Sequence, residues 1–242
     1  MGGVFQNPIT SGFAADDTAL GRLAADSVRY AAGADIALVT ADSLDAYLQT
    51  GELTESALEA SFPKNDEYSA VSVPLSAVTE LLEQSYAHAV LDVGSESLNM
   101  EKSAEFKGYF HVSGIMLQWD PTAPEGERVY SIKRGSEELD THSEDIVILA
   151  VPCGILEGEF GYTALAGIEG SEIGTLRESV WKYAESCGTI EPDSAKRIRY
   201  IGVNGASLIS DFPREGLIAL IVILGIFACT GLKYKRKVDF ER

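Results

Sequence analysis

DDTALGRLAADSVRYAAGADIALVTA (residues 16–41) is the stretch that decides the fold, because it joins a helix pattern directly to a strand pattern. Asp17 or Thr18 is placed to cap the helix, and Gly33 predicts its end. The following residues, 34–41, are almost wholly apolar, which predicts a short buried strand. The apolar stripe that predicts the helix consists of Leu20, Leu23, Ala24, Val28 and Ala31.

Further helix and strand patterns follow without regular βα alternation, so the sequence predicts the α+β class with mixed sheets and flanking helices. Residues 92–108 predict a loop with a weak helix, and residues 153–167 are rich in glycine. Thr54 begins an incomplete capping box. Helices are predicted over 53–62, 75–91 and 174–188, and strands over 67–75, 109–120, 127–134, 144–152 and 196–203.

The charge of the chain is strongly acidic, with 19 Lys and Arg against 37 Asp and Glu, a net charge of −18. From Lys233 onward there are five basic and two acidic residues, so residues 1–232 carry −21. Such a body repels phosphate backbones, which excludes a nucleic-acid partner. An acidic surface usually serves solubility.

The sequence contains no pattern for a self-contained metal or catalytic centre. Cys153, Cys187 and Cys229 lack C-x-x-C spacing, and the three histidines are scattered. A Cys153–Cys187 bridge stays open. No G-x-S-x-G is present to mark a serine nucleophile, and the glycines after Cys153 lack the G-K-[ST] ending that cradles phosphate. We therefore expect no cofactor in this chain and no catalysis by it alone.

Residues 216–232, GLIALIVILGIFACTGL, contain no charged side chain over 17 positions. A run of this length lies near the lower limit for a helix that crosses a bilayer. The basic cluster KYKRK (233–237) follows directly and is typical of the cytoplasmic flank. The sequence therefore predicts an N-terminal extension (1–11), a domain (12–203), a linker (204–215), a single transmembrane helix and a basic tail (233–242).

This orientation places the acidic body outside the cytoplasm, although the N-terminus MGGVFQNPITSGFAADD (1–17) does not have the pattern of a signal peptide. One expectation is that the chain is the C-terminal part of a longer protein. The alternative is that the body stays in the cytoplasm against the charge rule.

The order of four segments resembles the C-terminal, substrate-recognition domain of the 5′-nucleotidase family. LGRLAADSVRYAAGADIALVTADSLDAYLQTGELT (20–54) resembles its opening, and FPKND (62–66) falls where the family has Phe-Pro-Phe-x-Asn. GYFHVSGIMLQWDPTAPEGERVYSI (108–132) is similar to its serine-glycine hairpin, and AVPCGILEGEFGYTAL (150–165) to its Gly-Gly-Asp-Gly-Phe/Tyr turn. The resemblance runs from about residue 12 to residue 203 and implies a layered α/β/β/α fold.

The resemblance also implies a division of labour. In the family, an N-terminal metallophosphatase domain carries two divalent metals and the catalytic side chains, and the C-terminal domain sandwiches the nucleoside base between two aromatic rings. Only the second half has a counterpart here. Two metals are therefore expected only if a metallophosphatase domain exists as a partner.

The family's binding residues carry over to this chain in part. Arg29 matches an arginine that contacts the substrate phosphate, although a cation in the last turn of a helix has an alternative role with the helix dipole. Thr40 replaces an asparagine, and Asp45 replaces an arginine, so that a phosphate would be repelled. Lys64 stands where the first stacking ring is expected, and a lysine has no ring to stack on a base.

Three residues remain as vestigial substrate-binding candidates: Arg29, Asn65 and Tyr162. Asn65 or Asp66 retains a polar contact for the pocket, and Tyr162 retains the second aromatic ring or belongs to the core. Phe160 replaces the aspartate of the glycine turn. The replaced positions outnumber the retained ones and oppose nucleotide binding.

Three functions fit these observations. The first is a membrane-anchored, non-catalytic domain, derived from the nucleoside-recognition half of a 5′-nucleotidase, that makes protein–protein or assembly contacts. The second is the substrate-binding part of an exported nucleotide hydrolase whose metallophosphatase domain lies on another segment or chain. The third is an accessory subunit of a membrane complex.

Overall fold

The structure is a computed structural model and describes residues 4–5, 17–45, 47–91, 99–103 and 105–201. The helices in these residues are α1 (Ala19–Ala32), α2 (Glu55–Ser61), α3 (Leu75–Ala87), α4 (Met100–Ser103), α5 (Cys153–Leu156) and α6 (Leu176–Cys187). The strands are β1 (Val4–Phe5), β2 (Ile36–Thr40), β3 (Gly51–Glu52), β4 (Glu67–Pro74), β5 (Phe110–Ser113), β6 (Met116–Trp119), β7 (Val129–Arg134), β8 (Glu137–Leu139), β9 (Ile146–Pro152), β10 (Ser171–Thr175), β11 (Thr189–Ile190) and β12 (Ile198–Tyr200). Two 3-10 turns cover Ala41–Ser43 and Glu159–Gly161.

Two mixed sheets organise the domain. The larger has five strands in the order β10-β4-β9-β2-β5, with β2 and β9 parallel and the other pairs antiparallel. The second has four strands in the order β12-β6-β7-β8, with β12 parallel to β6. The short strands β11, β1 and β3 form a third sheet. The prediction of an α+β fold with mixed sheets and flanking helices is confirmed.

The opening helix and strand form as their local signals predict. The Thr18 hydroxyl accepts a hydrogen bond from the Gly21 N–H at 3.0 Å, which satisfies a free amide at the start of α1. Gly33 ends the helix in the left-handed conformation, with φ 59°. All five residues of β2 are buried. The prediction for residues 16–41 is confirmed.

Apolar cores lie on both faces of the five-stranded sheet. Helices α1 and α6 cover one face, where the core includes Leu20, Val28, Val39, Tyr68 and Val180. Helix α3 packs on the other face and also contacts β7 of the four-stranded sheet. This second core includes Leu38, Val78, Tyr86, Trp119 and Leu149.

Residues 109–120, which predict one strand segment, are divided between the two sheets at Gly114. The φ of Gly114 is +87°, and a Cβ there would lie 2.0 Å from the Asp35 carbonyl oxygen. A side chain at this position would therefore both strain the backbone and collide with the neighbouring loop. The break sends β5 into the five-stranded sheet and β6 into the four-stranded sheet.

Other predicted elements differ in detail. Helix α3 ends at Ala87, whereas the prediction extended it to residue 91, and Val90 lies beyond the helix with 37% of its surface exposed. Strands β8 and β10 were not predicted, and neither were the two-residue strands β1, β3 and β11. The sequence of β10, SEIGT, is polar and contains a glycine, and the strand sits at the sheet edge with an irregular register against β4. Edge strands carry a weak apolar signal.

The chain divides into two units, Met1–Ile201 and Gly202–Arg242. The predicted linker, transmembrane helix 216–232 and basic tail lie outside the described residues, as does most of the predicted extension 1–11. Within the residues that the structure describes, no helix has both the length and the apolar character needed to cross a membrane.

Candidate functional site

A cleft of about 420 Å³ opens at one end of the five-stranded sheet, and we call it the first cleft. The register of β4 and β9, which pairs Tyr68 with Pro152, explains its position. The loop before β4 and the segment after β9 leave the sheet at the same edge, so FPKND meets the glycine-rich segment there. The residues that line it are Lys64, Asp66, Glu67, Cys153, Gly154, Glu157, Gly158 and Glu159.

The Lys64 ammonium is held by carboxylates from three separate segments. Its Nζ lies 2.6 Å from Asp42 Oδ2, 2.9 Å from Glu159 Oε1 and 3.4 Å from Asp66 Oδ1. Burial by itself lowers the pKa of Lys64, but the hydrogen bonds to Asp42 and Glu159 outweigh it and hold the pKa above its ordinary value. Lys64 therefore stays charged and ties the Ala41–Ser43 turn, the FPKND loop and the glycine-rich segment together.

Asp66 has a second partner beneath the cleft. Its Oδ2 accepts a hydrogen bond from the Ser43 hydroxyl at 2.7 Å, and the Ser43 and Thr40 hydroxyls lie 3.2 Å apart. Burial of the Asp66 carboxyl raises its pKa, and the Ser43 and Lys64 contacts only partly offset that effect. Thr40 itself is buried within this network.

Phe160 shapes the wall behind Lys64. It has φ 58°, the left-handed region that a residue with a side chain seldom adopts, and lies in the Glu159–Gly161 turn. The Lys64 Nζ lies 5.4 Å from its ring centroid, within range of a cation–π contact. A Cβ at Gly154 would lie 2.1 Å from Glu159 Oε2, so the glycine allows the carboxylate to approach the backbone.

Tyr162 lies in the core beside this turn. Only 2% of its surface is exposed, and its ring stacks on Phe110 with centroids 4.8 Å apart. Its hydroxyl donates a hydrogen bond to the Gly108 carbonyl at 2.7 Å. Burial raises the pKa of Tyr162, so the phenol stays protonated.

Asn65 joins its loop to α6. Its Oδ1 accepts a hydrogen bond from the Arg177 N–H at 3.0 Å. The Arg177 side chain in turn donates to the carbonyls of Phe62 and Pro63, at 2.8 and 2.9 Å. Asp45 is exposed, and its N–H bonds to the Ser61 carbonyl at 3.1 Å. The three Arg177 contacts tie the FPKND loop to the start of α6.

Arg29 lines a different cleft, of about 510 Å³, which we call the second cleft. Its Nε donates to Ser113 Oγ at 2.8 Å, and Ser113 pairs with Ala37 near the start of β2. Asp42, which pairs with Lys64 at the first cleft, instead lies just after Thr40, the last residue of β2. Arg29 and Lys64 thus contact partners near opposite ends of β2 and line different clefts. The residues that line the second cleft are Asp26, Arg29, Tyr30, Gly33, Ala34, Tyr183 and Arg197.

Local sequence patterns missed the partners that define both clefts. Asp42 and Glu159 lie 22 and 95 residues from Lys64, and Arg197 lies 171 residues from its partner Asp26. Pairs this distant carry no periodicity or spacing signal in a single sequence. The register of β4 against β9 is the structural feature that joins the first set.

Metal-binding chemistry has no visible basis in the described part of the chain. No group of three or more His, Cys, Asp or Glu side chains there is arranged to hold an ion. Cys153 and Cys187 are both free thiols, and the Cys153 thiol lies 3.3 Å from the Ser69 hydroxyl.

Comparison with known families identifies the domain. The model of the family "5′-nucleotidase, C-terminal domain" matches residues 3–167, more than half of the sequence. The chain therefore belongs to the family of 5′-nucleotidase C-terminal domains. None of the curated protein sequences compared with the chain matches it.

Solved structures share the fold at low sequence identity. A 5′-nucleotidase precursor from Thermus thermophilus has a TM-score of 0.69 at 18% identity, covering 82% of this chain and 39% of its own. The NAD nucleotidase of Haemophilus influenzae has a TM-score of 0.66 at 15% identity, with 82% and 37% covered. A sulfate thiohydrolase, SoxB, of Thermus thermophilus has a TM-score of 0.62 at 19% identity, with 83% and 35% covered. The chain thus spans well under half the length of these proteins, and the likeness establishes the fold.

Proposed function

We propose that this protein is a membrane-anchored, non-catalytic domain, derived from the nucleoside-recognition half of a 5′-nucleotidase, that acts through protein–protein or assembly contacts. Its body lies outside the cytoplasm, and residues 216–232 cross the membrane with the basic tail inside. Arg29, Asn65 and Tyr162 are vestiges of substrate-binding positions. Family membership supports the origin of the domain.

The observation that carries the proposal is the position of Lys64. Its ammonium contacts three carboxylates at the place where the resemblance expects the first stacking ring. A base stacked on an aromatic side chain gains about 1–3 kcal/mol, which a lysine engaged in ion pairs does not supply. The burial of Tyr162 against Phe110 supports the same conclusion, because its ring face is already in contact with another ring.

The negative charge of the first cleft is a second argument against nucleotide binding there. The lining of the first cleft combines one lysine with four carboxylates, Asp66, Glu67, Glu157 and Glu159, and Asp42 neutralises the lysine further. A nucleotide phosphate would be repelled from such a surface. The acidic lining thus supports the part of the proposal that excludes a phosphorylated ligand.

Calorimetric titration of the full chain with adenosine and with AMP tests the loss of nucleoside binding. We expect no saturable heat for either ligand up to about 1 mM, where the binding free energy is only about −4 kcal/mol. A micromolar dissociation constant for either one would overturn the proposal. Release of phosphate from AMP by the chain alone, with divalent metals added, would overturn the non-catalytic part.

Extraction of membranes at alkaline pH tests the anchor. We expect the full chain to stay in the membrane pellet, because an uncharged apolar run of 17 residues is expensive to expose to water. Replacing Ile223 and Leu224 with arginine should release the chain. Protease treatment of intact cells separates the two orientations: a body outside the cytoplasm is digested, and a cytoplasmic body is protected.

The alternative function is the substrate-binding part of an exported nucleotide hydrolase. This chain covers only 39%, 37% and 35% of the three related proteins named above. That partial coverage favours the alternative, because the rest of those proteins has no counterpart in the given sequence. Two divalent metals would then belong to the missing metallophosphatase segment. The genome sequence directly upstream of the one that encodes this chain distinguishes the two functions. An open reading frame with Asp and His metal-binding motifs there would favour the hydrolase. Co-purification in mild detergent tests the accessory-subunit alternative.

A further inference from the structure

Strand β9 has an unbroken apolar sequence, IVILAVP, yet one of its faces is partly uncovered. Such a run is typical of a strand that is covered on both faces. The face toward α3 is covered, because Val147 and Leu149 are buried in its core. On the opposite face, toward α1 and α6, Ala150 is buried, whereas Ile148 is 42% and Ile146 is 66% exposed. The cover on this face therefore decreases toward the start of the strand.

The register between β9 and β4 defines the extent of the uncovered surface. Ile148 lies opposite Ser72, and Ile146 lies opposite Pro74. Side chains two residues apart on a strand share a face, so these four residues form one surface, which we call the isoleucine ledge. Strand β10 pairs with residues 67–70 of β4, before the ledge begins. The ledge thus lies at the end of the β4–β9 pair that is farther from the first cleft.

Carboxylates border the isoleucine ledge. The Asp35 carboxylate accepts a hydrogen bond from the Ile148 N–H at 2.8 Å, and the Asp35 N–H donates to the Ile148 carbonyl at 2.9 Å. Asp145 and Glu144 directly precede Ile146 in the chain, and all three acidic residues are exposed. An exposed apolar surface with a polar rim is typical of a protein–protein interaction site.

We propose that the isoleucine ledge docks a segment of a partner protein in which aliphatic side chains are flanked by lysine or arginine. The inference rests on the proposed role in protein–protein contact and specifies the chemistry of the partner. The aliphatic side chains cover Ile146 and Ile148 and so remove apolar surface from water. The cations lie against Asp35, Glu144 and Asp145, where opposite charges make the two surfaces complementary.

The charge of the rim distinguishes this partner from a second copy of the chain and from an anionic lipid surface. A second copy would bring the same three carboxylates to the interface, on a chain with a net charge of −18. Like charges that face each other across an interface oppose association. Anionic lipid headgroups would be repelled for the same reason. The rim therefore favours a basic partner.

Fluorescence anisotropy of short labelled peptides tests the ledge, with the full chain in a non-ionic detergent and the detergent alone as the blank. The probe alternates leucine with lysine, so that its leucines share one face as Ile146 and Ile148 do. One control peptide has serine in place of every leucine, and the other has glutamate in place of every lysine. We expect the leucine–lysine peptide to bind with a dissociation constant of about 100 μM or below, more weakly as salt is added. Both control peptides should bind about ten-fold more weakly or worse.

Ile148→Ser and Met116→Ser form a matched pair of variants for the apolar contact. The two side chains are 42% and 41% exposed, but Met116 lies on β6 of the four-stranded sheet. We expect Ile148→Ser to weaken the leucine–lysine peptide about five-fold or more, because an apolar contact is lost, and Met116→Ser to leave its affinity unchanged. Absence of saturable binding to the wild type, or equal weakening by the two variants, would overturn the proposal.

Asp145→Asn and Glu137→Gln separate the role of the rim from a general attraction to an acidic protein. Both remove one exposed carboxylate, but Glu137 lies on β8 of the four-stranded sheet. We expect Asp145→Asn to weaken the leucine–lysine peptide about two-fold or more at low salt and Glu137→Gln to have no effect. Equal effects would show that the rim has no specific role and would overturn the proposal.

Sedimentation of the full chain tests the second copy as the occupant. We expect no self-association through the ledge, so Ile146→Ser should leave the molecular mass unchanged. A dimer that Ile146→Ser dissociates would assign the ledge to a second copy and contradict the proposal. The titrations with adenosine and AMP concern the first cleft, so failure of the peptide experiments is distinct from failure of the proposed function.

Discussion

The first and second clefts lie at opposite ends of the β2–β5 strand pair and use their cations in opposite ways. In the first cleft, Lys64 faces three carboxylates and an aromatic ring within its own chain. In the second, Arg197 takes up the charge of Asp26, and Arg29 is left with a hydroxyl as its partner. The lysine of the first cleft therefore contacts carboxylates directly, whereas Arg29 of the second reaches the Asp26 carboxylate through the Ser113 hydroxyl.

This difference shows why the presence of a charged residue is a poor guide to a binding site. A cation that is already surrounded by hydrogen-bonded carboxylates must lose those contacts before it binds a ligand. A cation held by a hydroxyl has fewer direct charge-assisted contacts to lose. The comparison thus distinguishes a lysine held by direct ion pairs in the first cleft from an arginine held by a hydroxyl at the other end of the β2–β5 pair.

Removal of Arg197 should break the second cleft and give the largest effect. Arg197→Met leaves the half-buried Asp26 carboxylate without its two-point partner, and we expect a loss of about 3 kcal/mol in the free energy of unfolding. Urea unfolding of the full chain measures it. The double variant with Asp26→Asn should recover much of the loss, since no uncompensated charge remains. A loss below about 1 kcal/mol would contradict the assigned network.

Removal of Lys64 should reduce the free energy of unfolding by less than removal of Arg197 does. Lys64→Met leaves Asp42, Asp66 and Glu159 facing one another, and we expect a loss of about 1–2 kcal/mol, since water screens this partly exposed group. The matched control is Lys133→Met, which removes an exposed pair with Glu138 and should have a much smaller effect on the free energy of unfolding. Equal losses in the two variants would show that Lys64 is an ordinary surface lysine.

The effect of Lys64→Met should also depend on pH. The pKa of Asp66 is raised in the folded protein, so this group disfavours folding increasingly as pH rises from its unfolded value near 3.8 through its folded pKa. Without Lys64 the pKa should rise further. The difference between wild type and variant should therefore be larger at pH 7 than at pH 4. A pH-independent difference would exclude repulsion among the carboxylates as its cause.

Tyr162→Phe sharpens the distinction between core and cleft. The variant keeps the ring stacked on Phe110 and loses the hydrogen bond to Gly108, which should reduce the free energy of unfolding by about 1 kcal/mol. The control Tyr130→Phe changes a tyrosine that is 69% exposed and should have no measurable effect. An unchanged free energy of unfolding in Tyr162→Phe would indicate that the hydroxyl does not hold the turn to the core.

Asp193→Asn probes the outer support of the second cleft and should give the smallest effect. Burial raises the pKa of Asp193, but the Ala195 N–H and Arg197 outweigh it and lower the pKa overall. The carboxylate then stabilises the folded state above its unfolded pKa near 3.8, and this contribution is lost as pH falls through the folded pKa. We expect a difference of about 0.5 kcal/mol or less at pH 7, because the side chain is half-exposed, and a decreasing difference as pH falls below 3.8. A difference that does not decrease as pH falls would exclude the charge of Asp193 as its cause.

The fold was predictable where local signals agree. Residues 16–41 combine a hydroxyl cap, a helical apolar stripe, a terminal glycine and an apolar strand, and each signal acts within a few residues. The same reasoning failed for β10, whose polar sequence gains strand structure only through pairing with β4. Tertiary pairing overrides weak local preference at a sheet edge.

The candidate site was predictable only at the level of segments. The resemblance placed FPKND and the glycine-rich turn at one pocket, and the sheet register brings both to the first cleft. The partners of Lys64 could not be predicted, because Asp42 and Glu159 approach it only after the strands have paired. The separation of Arg29 from Lys64 likewise depends on the geometry of the β2–β5 pair.

A double-mutant cycle between Lys64 and Asp42 tests most directly the proposal that the chain's own ion pairs close the position where the resemblance expects the first stacking ring. The cycle compares the free energies of unfolding of wild type, Lys64→Met, Asp42→Asn and the double variant, and so isolates the energy of the contact. The 2.6 Å contact predicts a coupling of about 1 kcal/mol or more in favour of the pair. A coupling of zero within error would contradict the account, because Lys64 would then be free to yield its place to a ligand.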